Sequence, residues 1–214
     1  DLEKRGKVPI LVGGTGLYFK ALTEGLSNIP NIPIKLRSKI RSLHSKIGSK
    51  NFFLKLLKLD PLIKNQINES DTQRVIRAYE IKLYTKQSIY EWFKKTKSNH
   101  EKKSFFKIYI DYPRNELLER ISARSKKMVE KGAVSEVKRF IKLKIPKNKS
   151  APKAIGINEI KEYLQKKIEI KDVIEKISIK TRQYAKRQST WARGNMKDWN
   201  KINPNHLNKF LKKI

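Results

Sequence analysis

The sequence predicts an α/β protein interrupted by an all-helical insertion, on three observations. Val8-Pro9-Ile10-Leu11-Val12 is a short apolar run bounded by glycines, which suits a buried parallel strand. In Phe105–Asp111, Phe106, Ile108 and Ile110 alternate with Lys107 and Tyr109, the period of a second strand. Between the two, apolar residues recur at the spacing of helices.

In chain order, Asp1–Gly6 reads as the end of a helix leading into the first strand. Gly13-Gly14-Thr15-Gly16 then turns into a helix over Leu17–Glu24, with Thr15 as N-cap and Gly25 as its C′ residue. The Pro/Asn-rich stretch Asn28–Pro33 is a linker, and a domain boundary is placed there. Segments 1–30, 31–104 and 105–214 follow: part of an α/β core, a helical insertion, and the remainder of the core. Within the insertion Leu36, Ile40, Leu43 and Ile47 share a helix face, and Phe52–Leu59 forms another helix. Asp60-Pro61 restarts the chain with a cap and a Pro at N1. Asp71 caps a helix over Thr72–Tyr84, and a short helix near Ser88–Lys95 carries Tyr90, Trp92 and Phe93. Asn99–Ser104 is a polar break. After the second strand and Pro113, a helix runs through Lys131, stops at Gly132 and is followed by another. Lys147–Lys153 is a basic loop, and Ile157–Gln165 and a long helix from Lys171 to Arg193 complete the body. A buried parallel strand with so few partners implies that part of the sheet is missing. With Asp1 in place of an initiator Met, the expectation is the C-terminal portion of a longer protein.

Composition narrows function without naming it. Of 214 residues, 51 are Lys or Arg and 20 are Asp or Glu, a formal net charge of +31. Such an excess is the footprint of a protein that meets a polyanion, nucleic acid above all, although general enrichment in lysine accounts for much of it. No apolar run approaches the roughly 20 residues a membrane span needs. The absence of cysteine excludes disulfide scaffolds, thiolate metal sites and thiol catalysis.

Three segments could carry chemistry. The small residues Gly13-Gly14-Thr15-Gly16 let backbone N–H groups face a phosphate, and a tight strand-to-helix turn explains them equally well. They do not form a Walker A loop, which requires Gly-Lys-Ser/Thr. In Asp71-Thr72-Gln73-Arg74-Val75-Ile76-Arg77, Arg74 and Arg77 share a face near the positive end of a helix. A phosphate backbone would favour cations there, as would ion pairs to Asp71 or Glu80, and the spacing does not choose. Along Thr181–Arg193, Arg182, Lys186, Ser189 and Arg193 follow i, i+4, i+7, i+11 and form one polar stripe. That stripe suits either a channel for a diphosphate or a solvated face. His44, His100 and His206 are isolated, and Asp71 and Asp111 read as structural caps, so neither a metal cluster nor an acid–base pair emerges.

Jointly these segments resemble the tRNA dimethylallyltransferase family, the isopentenyl-diphosphate:tRNA transferases. The matching stretches are Val8–Gly25 (VPILVGGTGLYFKALTEG), Asp71–Glu80 (DTQRVIRAYE), Arg120–Lys138, Ala154-Ile155-Gly156 and Thr181–Arg193 (TRQYAKRQSTWAR). They occur in the family's order from end to end of the chain. The resemblance implies a P-loop-like parallel-sheet core, incomplete at the N-terminus, with a helical insertion that grips the anticodon stem-loop. It implies transfer of a dimethylallyl group from dimethylallyl diphosphate to N6 of the adenosine 3′ of the anticodon, with Mg²⁺ assisting. The base is flipped from the loop to reach the reaction channel, as base-modifying enzymes require. A cytoplasmic monomer is implied as well.

Residue by residue, the resemblance places Thr15 near the flipped nucleotide, with Gly13 and Gly14 in the same loop. It makes Arg37, Gln73, Arg74 and Arg77 tRNA contacts and Arg182 a diphosphate ligand, with Lys186 and Arg193 continuing the cationic stripe toward tRNA. The family's nucleotide loop, main Mg²⁺ ligands and proposed general-base aspartate lie upstream of Asp1, so this chain is expected to bind tRNA and to lack transfer activity by itself. Gly156 is followed by Ile157 where the family usually has an aromatic residue. Two other readings compete: an adenylate isopentenyltransferase making cytokinins, which would not need Gln73-Arg74 or a basic insertion, and a non-catalytic tRNA-binding remnant.

Overall fold

The computed structural model describes residues 2–98, 100–101, 104–146 and 149–213. The expected polar break over 99–104 and basic loop over 147–153 lie partly outside the described residues. By its contacts the chain forms two compact units, one of Leu17–Phe105 and one of Asp1–Gly16 with Phe106–Ile214. The division falls after Gly16, whereas the Pro/Asn linker had suggested one near residue 30, so the first helix is grouped with the helical unit.

The helical unit holds α1 (Gly16–Glu24), α2 (Ile34–Leu59), α3 (Thr72–Thr85) and α4 (Ile89–Lys94). Gly48, at φ 78° and ψ 164°, breaks α2 where the sequence divided it into two helices. A left-handed or extended positive-φ residue cannot continue a helix, and glycine reaches that region without a Cβ clash. The break lets Ile40 on the first part and Phe52 and Leu56 on the second turn toward one core with Ile63, Ile67, Val75 and Ala78. Phe52 and Leu56 are fully buried, and the Phe52 and Tyr79 rings lie 4.8 Å apart. Asp71 caps α3 as its sequence predicts, its carboxylate accepting from Arg74 N at 3.1 Å. Ser88 and Glu91 cap α4 reciprocally, Ser88 accepting from Tyr90 N and Glu91 from Ser88 N. The unit's entrance and exit are tied by a hydrogen bond between the Ser27 and Thr96 hydroxyls.

The other unit has a parallel pair, β1 (Ile108–Ile110) with β2 (Asn200–Ile202), in register Ile108↔Asn200, Tyr109↔Lys201 and Ile110↔Ile202. Between the strands run α5 (Arg114–Met128), α6 (Val134–Lys142), α7 (Ile157–Leu164) and α8 (Ile170–Asn195), the long crossover that parallel strands require. The short α9 (Leu207–Leu211) follows β2. Gly132, at φ 98°, separates α5 from α6 where a stop was expected. Ala133, Val137, Ile160, Val173 and Ile177 form the core of α6, α7 and α8, and α5 packs along α8.

Three expectations change. Val8–Val12 is not a buried strand: its backbone has no ladder partner among the described residues, and Val8 and Val12 are 85% and 92% exposed. β1 and β2 pair with each other, and Pro9 has no N–H to contribute to a ladder. The partner of β1 is Asn200-Lys201-Ile202, too short and polar to read as a strand. Asp111 caps no helix, since α5 begins after Pro113 without a side-chain cap; its carboxylate instead meets Lys201 Nζ at 2.8 Å across the strand pair. The architecture is therefore α/β, helix-rich, with a small parallel sheet.

Candidate functional site

In the helical unit, the packing of α2 on α3 brings four of the residues singled out by sequence into two settings. Arg74 lies beside the N-cap of α3, its guanidinium 2.9 Å from Asp71, and remains 75% exposed. Asp71 thereby offsets the unfavourable position of a cation at a helix N-terminus. So exposed a pair contributes little to stability and leaves the guanidinium available to an outside anion. Gln73 is exposed next to it. Burial pushes the nearby Tyr90 hydroxyl up from its ordinary pKa; Arg74 opposes that shift and Asp60 adds to it. Tyr90 donates to the Gln66 carbonyl at 3.2 Å.

The second setting centres on Glu80, whose side chain is 2% exposed. Arg37 Nε and Arg77 Nη1 lie 3.6 and 3.5 Å from one of its oxygens, and Arg41 Nε lies 3.9 Å from the other. Arg37 and Arg77, expected as tRNA contacts, thus share one buried carboxylate. Arg41 was missed by sequence reasoning; the available signal was its position one helical turn after Arg37.

In the α/β unit the Gly13–Gly16 loop rests on α8. Gln188 Nε2 donates to the Gly14 carbonyl at 2.7 Å, and the Trp191 ring lies against Gly16. Gly13, Gly14 and Thr15 are exposed. Gln188 and Trp191 lie on faces of α8 other than the one that carries Arg182, Lys186 and Arg193, and that placement lets them hold the loop. Arg182, Lys186 and Arg193 on the stripe are exposed, with Arg193 donating to the Thr190 hydroxyl at 3.4 Å. Arg182 also borders an open cavity of about 270 Å³ between α5 and α8, where Ser122 and Lys171 supply further donors and Glu175 one carboxylate; the Ser178 hydroxyl at its edge donates to the Ile174 carbonyl at 2.8 Å. At the base of α8, Glu159 accepts from Lys180 and from Gly156 N. Burial raises its pKa, but those hydrogen bonds outweigh it and hold the carboxyl below the usual range.

A family model described as IPP transferase matches residues 1–195. The chain belongs to this family. It is 52% identical over 214 residues to a protein of Pelagibacter ubique named tRNA dimethylallyltransferase, covering all of this chain and 68% of that protein. A Rickettsia massiliae protein of the same name is 41% identical, over 92% of this chain and 55% of its own length. Among solved structures, the full-length tRNA isopentenylpyrophosphate transferase of Bacillus halodurans aligns with a TM-score of 0.56 at 30% identity, over 94% of this chain and 61% of that one. A eukaryotic dimethylallyltransferase described as acting on tRNA aligns with a TM-score of 0.68 at 28% identity, over 89% and 48%. The chain therefore spans between about half and two thirds of these family members.

Membership in the family raises the question of Mg²⁺. Among the described residues no three of His, Asp and Glu come together in a way that could hold a metal. The described residues do not by themselves supply a Mg²⁺ site. Nor is any helix among the described residues long and apolar enough to cross a membrane.

Proposed function

We propose that this chain grips the anticodon stem-loop of a tRNA and serves the transfer of a dimethylallyl group from its diphosphate to N6 of the adenosine 3′ of the anticodon. The observation that carries this reading is 52% identity over the whole chain to a protein named tRNA dimethylallyltransferase. In the reaction a bond forms between N6 and the first carbon of the dimethylallyl group, the carbon–oxygen bond breaks, diphosphate leaves, and N6 gives up a proton. The helical unit supplies the grip through Gln73, Arg74 and the arginines around Glu80. Arg182 and Lys186 steady the charge that develops on the departing diphosphate, an electrostatic contribution to the barrier. Gly13, Gly14 and Thr15 form the loop offered to the extruded base, held by Gln188 and Trp191. The small parallel sheet belongs, on this reading, to a P-loop-like core. The setting is cytoplasmic and the acting species a monomer.

The test is a prenyl-transfer assay with dimethylallyl diphosphate, Mg²⁺ and an anticodon stem-loop, with binding of each substrate followed in parallel. The 214-residue chain is expected to bind the stem-loop in preference to an unrelated hairpin of equal length. Transfer would place every essential group within these residues; stem-loop binding without transfer would place the chemistry partly outside them. Loss of preference for the stem-loop would sink the reading. Arg182→Ala should weaken dimethylallyl diphosphate binding by about tenfold or more, the cost of a lost hydrogen bond to a charged group. Equal loss of diphosphate and stem-loop binding would make Arg182 merely structural.

A further inference from the structure

Glu80 lies beneath more positive charge than it needs. A carboxylate withdrawn from water is costly unless cations face it, and one arginine would supply that cation. Three do so here, from two helices: Arg37 and Arg41 of α2 and Arg77 of α3, all within 3.9 Å. Three guanidiniums against one carboxylate leave two positive charges in surplus (3 − 1). The surplus faces outward, because the arginine side chains are 43%, 62% and 41% exposed whereas Glu80 is 2% exposed. The distances are those of ion pairs longer than good hydrogen bonds, and Glu80 Oε1 and Arg37 Nε are buried with no hydrogen-bond partner. A guanidinium carries five N–H donors, so each arginine retains donors for an acceptor arriving from solvent.

We infer that Arg41 joins Arg37 and Arg77 in a phosphate-binding cluster for the tRNA backbone, and that Glu80 is the positioning residue beneath it. This rests on the tRNA reading above and specifies part of its grip. Mutual repulsion would spread three free guanidiniums apart. The buried carboxylate draws them together, and, being covered, it does not confront the phosphate itself. Planar guanidiniums held at fixed spacing suit the paired oxygens of successive phosphodiesters. An exposed glutamate in the same role would repel the backbone it was helping to bind.

The experiment measures binding of an anticodon stem-loop to the full 214-residue chain across a salt series, for the wild type, Arg41→Ala and Glu80→Gln. Arg41→Ala is expected to bind more weakly and to lower the slope of log affinity against log salt by about 0.7–0.9, as for one lost phosphate contact. Glu80→Gln makes a decisive case, because it raises the formal charge above +31. Bulk electrostatics alone would then tighten RNA binding; loss of positioning weakens it and makes the slope shallower. Should Glu80→Gln fail to fold by circular dichroism, Arg41→Ala, altering an exposed side chain, decides alone. Stem-loop preference in the wild type with both variants unchanged overturns this inference and leaves the tRNA reading standing. No preference in the wild type overturns both. Inorganic pyrophosphate, titrated separately, should bind wild type and Arg41→Ala alike. Its loss in the variant with stem-loop affinity intact would assign the cluster to a free diphosphate and overturn the inference.

Discussion

An ideal Cβ at Gly16 would lie 2.1 Å from Cζ3 of Trp191, far inside van der Waals contact. The ring is rigid and partly buried, so a methyl group there must displace it. Gly16→Ala is therefore expected to cost about 1–3 kcal/mol, the usual range for overpacking, despite alanine's better helix propensity. Thermal melts of the single variants and of Gly16→Ala with Trp191→Ala check the cause: the double variant should lose much less than the sum. Strict additivity would show that the ring and the glycine do not meet. The motif stretches that name the family contain both residues, but their separation in sequence hides why they occur together. Gln188 and Gly14, 174 positions apart, are linked in the same way.

Helix ends and faces show how local rules and packing divide the work. The caps of α3 and α4 and the stops at Gly25, Gly48 and Gly132 follow from residue type, so those elements are readable from the chain. The junction of α7 with α8 is different, because Glu159 and Lys180 meet only after the helices pack. Glu159 is held below its ordinary pKa in the folded protein, so its contribution is fully present above the unfolded value, about 4.5. It is lost as pH falls through the lower folded value. The melting-temperature gap between wild type and Glu159→Gln should accordingly be constant from pH 7 to about 5 and shrink below about 4.5. A gap that stayed unchanged at pH 3.5 would mean that the carboxylate charge plays no part. Strands obeyed local rules less well. Val8–Val12 has the composition of a buried strand and joins no ladder among the described residues, while Asn200–Ile202 lacks that composition and pairs with β1.

The two units each close around a core of their own. The cluster of Phe52, Leu56, Val75 and Ala78 lies wholly within 17–105, and that of Val137, Ile160, Val173 and Ile177 wholly within 106–214. Phe52→Ala, which empties a fully buried site, should destabilise its unit by about 3–5 kcal/mol. Hydrogen exchange should then quicken in amides of α2 and α3 and change little in α7 and α8. Equal acceleration in both would show one cooperative body. Arg74, Arg77 and Arg182 were singled out by the motifs around them and Arg37 by the family resemblance alone. Family and helix boundaries follow from side-chain type and spacing, which act over a few residues. The convergence of Arg37, Arg41 and Arg77 on Glu80, the grip of Gln188 and Trp191 on the glycine loop, and the pairing of β1 with β2 do not. Each joins residues far apart in sequence, at distances set by how helices pack, and a linear pattern carries no record of that geometry.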